Sequence, residues 1–178
     1  MLIPPCLSRA AAGLLLAAPL LVAPLLAGRP AVAAEAPTGG DRAPRPADLV
    51  ILMNRESVNG SEQIGVYGRK ADPTTAGLWS VQVWVETSER VTIATDRIRC
   101  DPAAPLRITG SGGQLLVRQL NPGGPIHPTN RLDHLIWWAV CHPALAGQDP
   151  AGLGAEARRL GYSGLIPEQQ QVLRAPRP

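Results

Sequence analysis

Residues 78–86 read LWSVQVWVE. Trp79, Val81, Val83 and Val85 recur at every second position, so an extended chain places them on one face, with Trp84 on the other. That pattern is a half-buried β-strand. Thr87, Ser88 and Glu89 form a turn, and residues 90–95 (RVTIAT) return antiparallel. Next come Arg97, Ile98, Arg99 and Cys100, whose alternation turns Ile98 and Cys100 inward and both arginines outward. Residues 106–109 and 114–120 form a second hairpin across Gly110, Ser111, Gly112 and Gly113. Upstream, the apolar run 49–53 and the weakly alternating 63–69 (QIGVYGR) read as further strands. Strands joined by short turns, with no helix between them, predict an antiparallel sheet.

A Pro/Gly-rich connection at 121–128 leads to one helix, NRLDHLIWWAVC over residues 130–141. Asn130 is placed to cap it, Asp133 suits the positive end of the helix dipole, and Pro143 ends it near Cys141. Leu132, Leu135, Ile136 and Ala139 form one apolar stripe, while His134, Trp137, Trp138 and Cys141 form another on nearly the opposite side. If Cys141 bonds to a sheet residue, the tryptophan stripe faces the sheet. The Leu/Ile stripe then needs a cover from residues 152–166, or serves as a partner-binding surface. The outward Trp84 is a second candidate contact.

Residues 1–33 have the three parts of a cleavable signal peptide. An n-region ends at Arg9, an Ala/Leu run covers 10–28, and Ala31-Val32-Ala33 supplies the small residues for cleavage before Ala34. Pro19 and Pro24 interrupt the run, which argues against a retained membrane helix, and Cys6 precedes it, which argues against a lipid anchor. No later apolar stretch is long enough to span a bilayer. The chain is therefore expected to be exported, to the periplasm, the cell surface or the medium. Residues 34–47 read as a flexible linker, 48–145 as a small domain, and 146–178 as an extension with a short helix and a solvated tail.

Cleavage leaves 145 residues and removes Arg9 and Arg29, so 15 basic side chains face 14 acidic ones. That balance gives no footprint for nucleic acid. Cys100 and Cys141 become the remaining thiols in an oxidising compartment, where one intramolecular pairing is open to them. Free or metal-bound thiols are the alternative.

No catalytic signature stands out. There is no nucleophile elbow, and the Gly-rich stretch at 110–113 lies between strands and opens no helix, so it reads as a turn and not a phosphate loop. His127, His134 and His142 cluster with Asp133 and Cys141 but lack metal-ligand spacing, so neither metal nor cofactor is expected. Arg97, Arg99 and Arg107, with Arg118 nearby, are a candidate anion-binding face, and Asp96 and Asp101 are placed to neutralise it.

The strand ending DRIRC (residues 96–100), the Gly-turn hairpin and the helix ending DHLIWWAVC (133–141) together resemble the surface-adhesin protein E family of small exported bacterial domains. The similarity covers residues 78–141 and departs from the family's pattern between Asp101 and Gln114, where an aromatic is missing. The resemblance implies an α+β fold: a mainly antiparallel sheet with one C-terminal helix packed on it and tied by a Cys100–Cys141 disulfide. The resemblance implies a fold more than an activity; the signal peptide, the disulfide framework and the absence of a catalytic constellation lead to the expectation of a non-enzymatic domain that binds a protein or other envelope component, a second copy included. The rivals are a small periplasmic enzyme using His134 or His142 as base, and a self-associating structural protein.

Sequencing the N-terminus of envelope-fraction protein checks the export assignment. The expected first residue lies within two positions of Ala34, and an intact Met1 would refute it.

Overall fold

The computed structural model describes residues 43–58 and 60–174. Residues 1–33, read above as a signal peptide, and the expected cleavage site lie outside the described residues. Seven strands form one sheet: β1 (Val50–Ser57), β2 (Gly60–Ala71), β3 (Leu78–Thr87), β4 (Val91–Arg99), β5 (Leu106–Ser111), β6 (Gln114–Gln119) and β7 (Gln169–Arg174). Their order in space is their order in sequence, and every neighbouring pair is antiparallel. The connection from β6 to β7 carries helix α1 (Arg131–Cys141) and the short helix α2 (Gly154–Arg159).

The strand alternation sets the register. Trp79 pairs with Ile98, Val81 with Asp96 and Val83 with Val66, so the side chains at these positions share a face. The returning segment 90–95 and the alternating segment that follows it form one strand, β4, from Val91 to Arg99. The β5–β6 turn closes on two residues, Gly112 (φ +55°) and Gly113 (φ +75°), a left-handed pair that glycine adopts without strain. A bulge interrupts β2 between Tyr67 and Lys70, at Gly68 with φ +63°.

Helix α1 ends at Cys141, as Pro143 dictates. Its start differs from expectation. The Asn130 side chain caps no helical N–H; its Oδ1 accepts from the His127 N–H at 2.7 Å and its Nδ2 reaches Glu168. Every residue from Asp133 to Val140 is buried, so both apolar stripes lie inside. Leu135, Ile136 and Ala139 belong to the same hydrophobic cluster as Val66, Val81, Val83 and Ile98, and as Leu153, Ala157 and Tyr162 from the extension. Leu165 takes no part in that cover and is 85% exposed.

The end of β4 is tied at several atoms. Cys100 is disulfide-bonded to Cys141. The Trp137 indole N–H donates to the Arg99 carbonyl at 2.9 Å, and the Tyr162 hydroxyl donates to the Cys100 carbonyl at 3.1 Å. Burial, with the charge of Asp101, pushes the Tyr162 phenol up to about 12. Trp137, Trp138, His142 and Tyr162 pack edge-on or tilted around this point.

Two segments differ from their sequence reading. Residues 169–178 read as a solvated tail, yet Gln169–Arg174 pairs with β6 along its whole length while remaining exposed. The last stretch of the supposed linker is held as well: Arg45 makes an ion pair with Glu86 at 2.8 Å and hydrogen-bonds Gln63.

The disulfide closes a loop with a sequence separation of 41 residues, which predicts about 4 kcal/mol of stabilisation from restricting the unfolded chain. The Cys100→Ser/Cys141→Ser double variant should lose stability of that order in urea titration. A loss below about 1 kcal/mol would show that packing alone holds β4 to α1.

Candidate functional site

The residues singled out from sequence are distributed differently from expectation. Of the proposed partner-binding stripe, Leu135, Ile136 and Ala139 are buried within this chain and Leu132 is partly buried, so they offer no open surface. Trp84 does lie opposite Val81 and Val83 but is only 1% exposed. Its cross-strand neighbour is Gly65, where a Cβ would fall 2.9 Å from the Leu49 side chain and 2.7 Å from the Val50 carbonyl. The ring meets Tyr67 edge-on at 6.3 Å, and its indole N–H donates to Glu86 at 3.1 Å. Trp84 anchors a small second cluster under the start of the domain; it is not a contact residue.

Arg107 does not share the face of Arg97 and Arg99. Arg97 pairs with Ile108, and Arg107 pairs with Ile98, which alternation puts on the opposite side. Arg107 is buried, with its guanidinium 2.7 Å from Asp96 and 2.5 Å from Asp133. Arg118 lies 3.5 Å from the other Asp133 oxygen. Burial pushes the Asp96 carboxyl above its ordinary range, against the pull of Arg107. Arg99 pairs with Asp101 at 3.1 Å. Arg97 alone of the three makes no salt bridge among the described residues.

The densest polar arrangement is one the sequence did not announce. Glu168, just before β7, gathers three elements. Its Oε1 accepts from the Asn121 backbone N–H (3.1 Å) and from His134 Nε2 (2.6 Å), and its Oε2 accepts from Asn130 Nδ2 (2.9 Å). Burial alone would raise this carboxyl, but the hydrogen bonds from Asn130, His134 and Asn121, with the electrostatic pull of His134, hold it below the usual carboxylate range. An ionised Glu168 only accepts, so His134 Nε2 donates in this bond, and the buried Nδ1 has no hydrogen-bond partner among the described residues. Asn121 Nδ2 also donates to the Gly164 carbonyl and its Oδ1 accepts from the Ile166 N–H, so this network seats the segment that leads into β7.

Cavities flank β7 on both faces. On the side of Arg118 and Gln170, a cavity of about 210 Å3 is lined by Asn130, Asp133, Glu168 and Thr129. On the other side, one of about 470 Å3 lies over Leu106, Val117, Gln119, Gln169 and Gln171. The two share Gln119, Gln169 and Gln170. β7 itself is exposed throughout, with Val172 56% and Leu173 40% accessible, and among the described residues it has a strand on one side only. The opposite edge is protected, because β1 has a bulge between Ile51 and Met53 and carries the exposed charges Arg55 and Glu56.

The histidines do not converge. His134 is fully buried behind Glu168, His142 bonds the Tyr162 hydroxyl at 3.0 Å within the aromatic cluster, and His127 is exposed elsewhere. Burial holds His142 below its ordinary pKa, opposed by Glu156 and reinforced by Arg69. Among the described residues, no group of three or more His, Cys, Asp and Glu side chains is arranged to hold a metal ion.

Compared with known proteins, the chain matches no family model, no curated protein and no solved structure.

The lowered Glu168 carboxyl makes a signed prediction. Its stabilising effect is fully present above its ordinary pKa near 4.5 and is lost as pH falls through the folded value. Glu168→Gln should therefore destabilise the protein more at pH 7 than at pH 3, measured by urea unfolding at both. An equal loss at the two pH values would remove the carboxylate's charge from the account.

Proposed function

We propose that this chain is an exported, non-enzymatic binding domain of the surface-adhesin protein E type, with α1 laid on the face of the sheet that carries Val81 and Val83. On this reading it takes up an extended peptide segment of an envelope or surface protein as an eighth strand along β7.

The observation that supports it is the open β7 edge with a cavity on each face. Strand addition satisfies the backbone groups of both chains and sends alternate side chains to opposite faces, where pockets supply selectivity. The amide side chains of Gln119, Gln169, Gln170 and Gln171 offer donors and acceptors to a polar segment without fixing its charge. The Glu168 network fixes the start of β7, so that little ordering remains to be done on binding. Glu168 is the sole residue of its dyad at a cavity wall; His134, fully buried, has no direct path to a substrate, which weighs against a histidine base.

A phage-displayed library of random linear peptides tests this directly. Selected peptides should shift the amide resonances of Gln169–Arg174 and slow their hydrogen exchange. Val172→Lys, an edge-blocking charge at an exposed position, should weaken binding at least about tenfold while leaving the melting temperature unchanged. A library that yields no binder, or binders whose shifts fall elsewhere, would overturn the reading. Sedimentation that finds a dimer lost in Val172→Lys would instead assign the edge to a second copy of the chain.

A further inference from the structure

We propose that Lys70, Ser80 and Arg97 form a binding site for a tetrahedral oxyanion, a phosphate or sulfate group, on the outer face of the sheet. The site is separate from the β7 edge and does not depend on it.

Register builds it. Lys70 pairs with Ser80 across β2 and β3, and Ser80 pairs with Arg97 across β3 and β4, so the three stand in one row on one face. Adjacent strands lie about 4.8 Å apart, which puts the two cationic residues about 10 Å apart at the backbone with a hydroxyl midway. Side chains of their length converge over that gap. A cavity of about 190 Å3 opens there, bounded also by Asp72, Pro73, Leu78 and Trp79.

The β2 bulge is what creates the row. Tyr67 pairs with Gln82, so an unbroken ladder would bring Arg69 opposite Ser80 and turn Lys70 to the other face. The extra residue at the bulge moves Lys70 into the row and lets the Arg69 guanidinium lie 3.4 Å over the Trp79 ring. A bulge that re-aims a cation into a cavity is the kind of local departure that sheets keep beside binding sites.

The charges there are only partly spent: Arg97 helps to hold the Asp72 carboxyl below its ordinary range, behind the hydrogen bonds from Thr74 and Thr75. Arg99 is paired with Asp101, and Arg107 with Asp96 and Asp133, whereas neither Lys70 nor Arg97 makes a salt bridge among the described residues. Asp72 is the one acid at the cavity wall. Its Oδ1 is occupied by the N–H and hydroxyl of Thr74 and the N–H of Thr75, which fix the β2–β3 loop. Two cations thus face one carboxylate, which leaves one positive charge in excess at the cavity. Arginine offers paired donors matched to an oxyanion, lysine adds a point charge, and the Ser80 hydroxyl, whose bond to the Lys70 carbonyl is long at 3.4 Å, is available as a third donor.

Titrating the 15N-labelled processed chain at constant ionic strength in chloride tests the site. The probes are inorganic phosphate, inorganic sulfate and phenyl phosphate. Saturable shifts are expected at the amides of Lys70, Ser80 and Arg97 and at the Trp79 indole N–H. Arg97→Gln and Lys70→Gln, both at exposed positions, should each weaken binding about tenfold, and Asp72→Asn should tighten it. Tighter binding of phenyl phosphate would identify an ester as the natural group, and equal binding the free ion. Shifts that never saturate, that chloride reproduces, or that persist unchanged in Arg97→Gln would overturn the proposal.

Discussion

The last turn of strand β4 is held by three different interactions within two residues. The Arg99 carbonyl accepts from Trp137, the Cys100 carbonyl accepts from Tyr162, and the Cys100 sulfur is bonded to Cys141. These join the middle of the sheet to α1 and to the extension beyond it. Each of the two carbonyls receives its donor from a large aromatic side chain that also fills the core. The covalent bond restricts the unfolded chain, while the aromatic donors fix the native geometry around it.

A second tie is ionic. Arg107 on β5 sits between Asp96 on β4 and Asp133 on α1, almost out of solvent. One guanidinium serves two carboxylates, with Arg118 reaching Asp133 from β6. Such a buried group adds little net stability over a well-packed apolar core, but removing one member leaves uncompensated charge at a cost of about 3–5 kcal/mol. Its effect is therefore chiefly on specificity. A helix turned by one position would strand Asp133 away from Arg107, so the network selects the rotational setting of α1 that the two apolar stripes leave ambiguous.

The two sheet edges are treated unequally. β1 is broken by a bulge and carries charge, whereas β7 is regular, nearly uncharged and fixed at its start by Glu168. An open edge is a template for association that proteins ordinarily blunt. Among the described residues β7 is the one strand exposed throughout its length, which is why the proposed partner strand is placed there and not along β1.

Local sequence pattern determined the strands β1 to β6, the two-glycine turn, the helix and its end at Cys141, because alternation, glycine conformation and proline sterics act within a few residues. The pairing of Cys100 with Cys141 was legible for a different reason: downstream of residue 33 there are two thiols to pair. Tertiary structure decided the rest. That Leu135, Ile136 and Ala139 are core and not surface depends on Leu153, Ala157 and Tyr162 arriving from the extension, which no helical periodicity encodes. That Arg107 is buried and Arg97 exposed depends on which residues of β4 and β5 stand opposite each other, since a register fixes faces across strands that each sequence leaves open. Gln169–Arg174 lacks an apolar alternation of its own and becomes a strand because β6 offers it an unpaired ladder. Glu168 acquires its role only when Asn121, Asn130 and His134, up to 47 residues away, meet at one carboxylate.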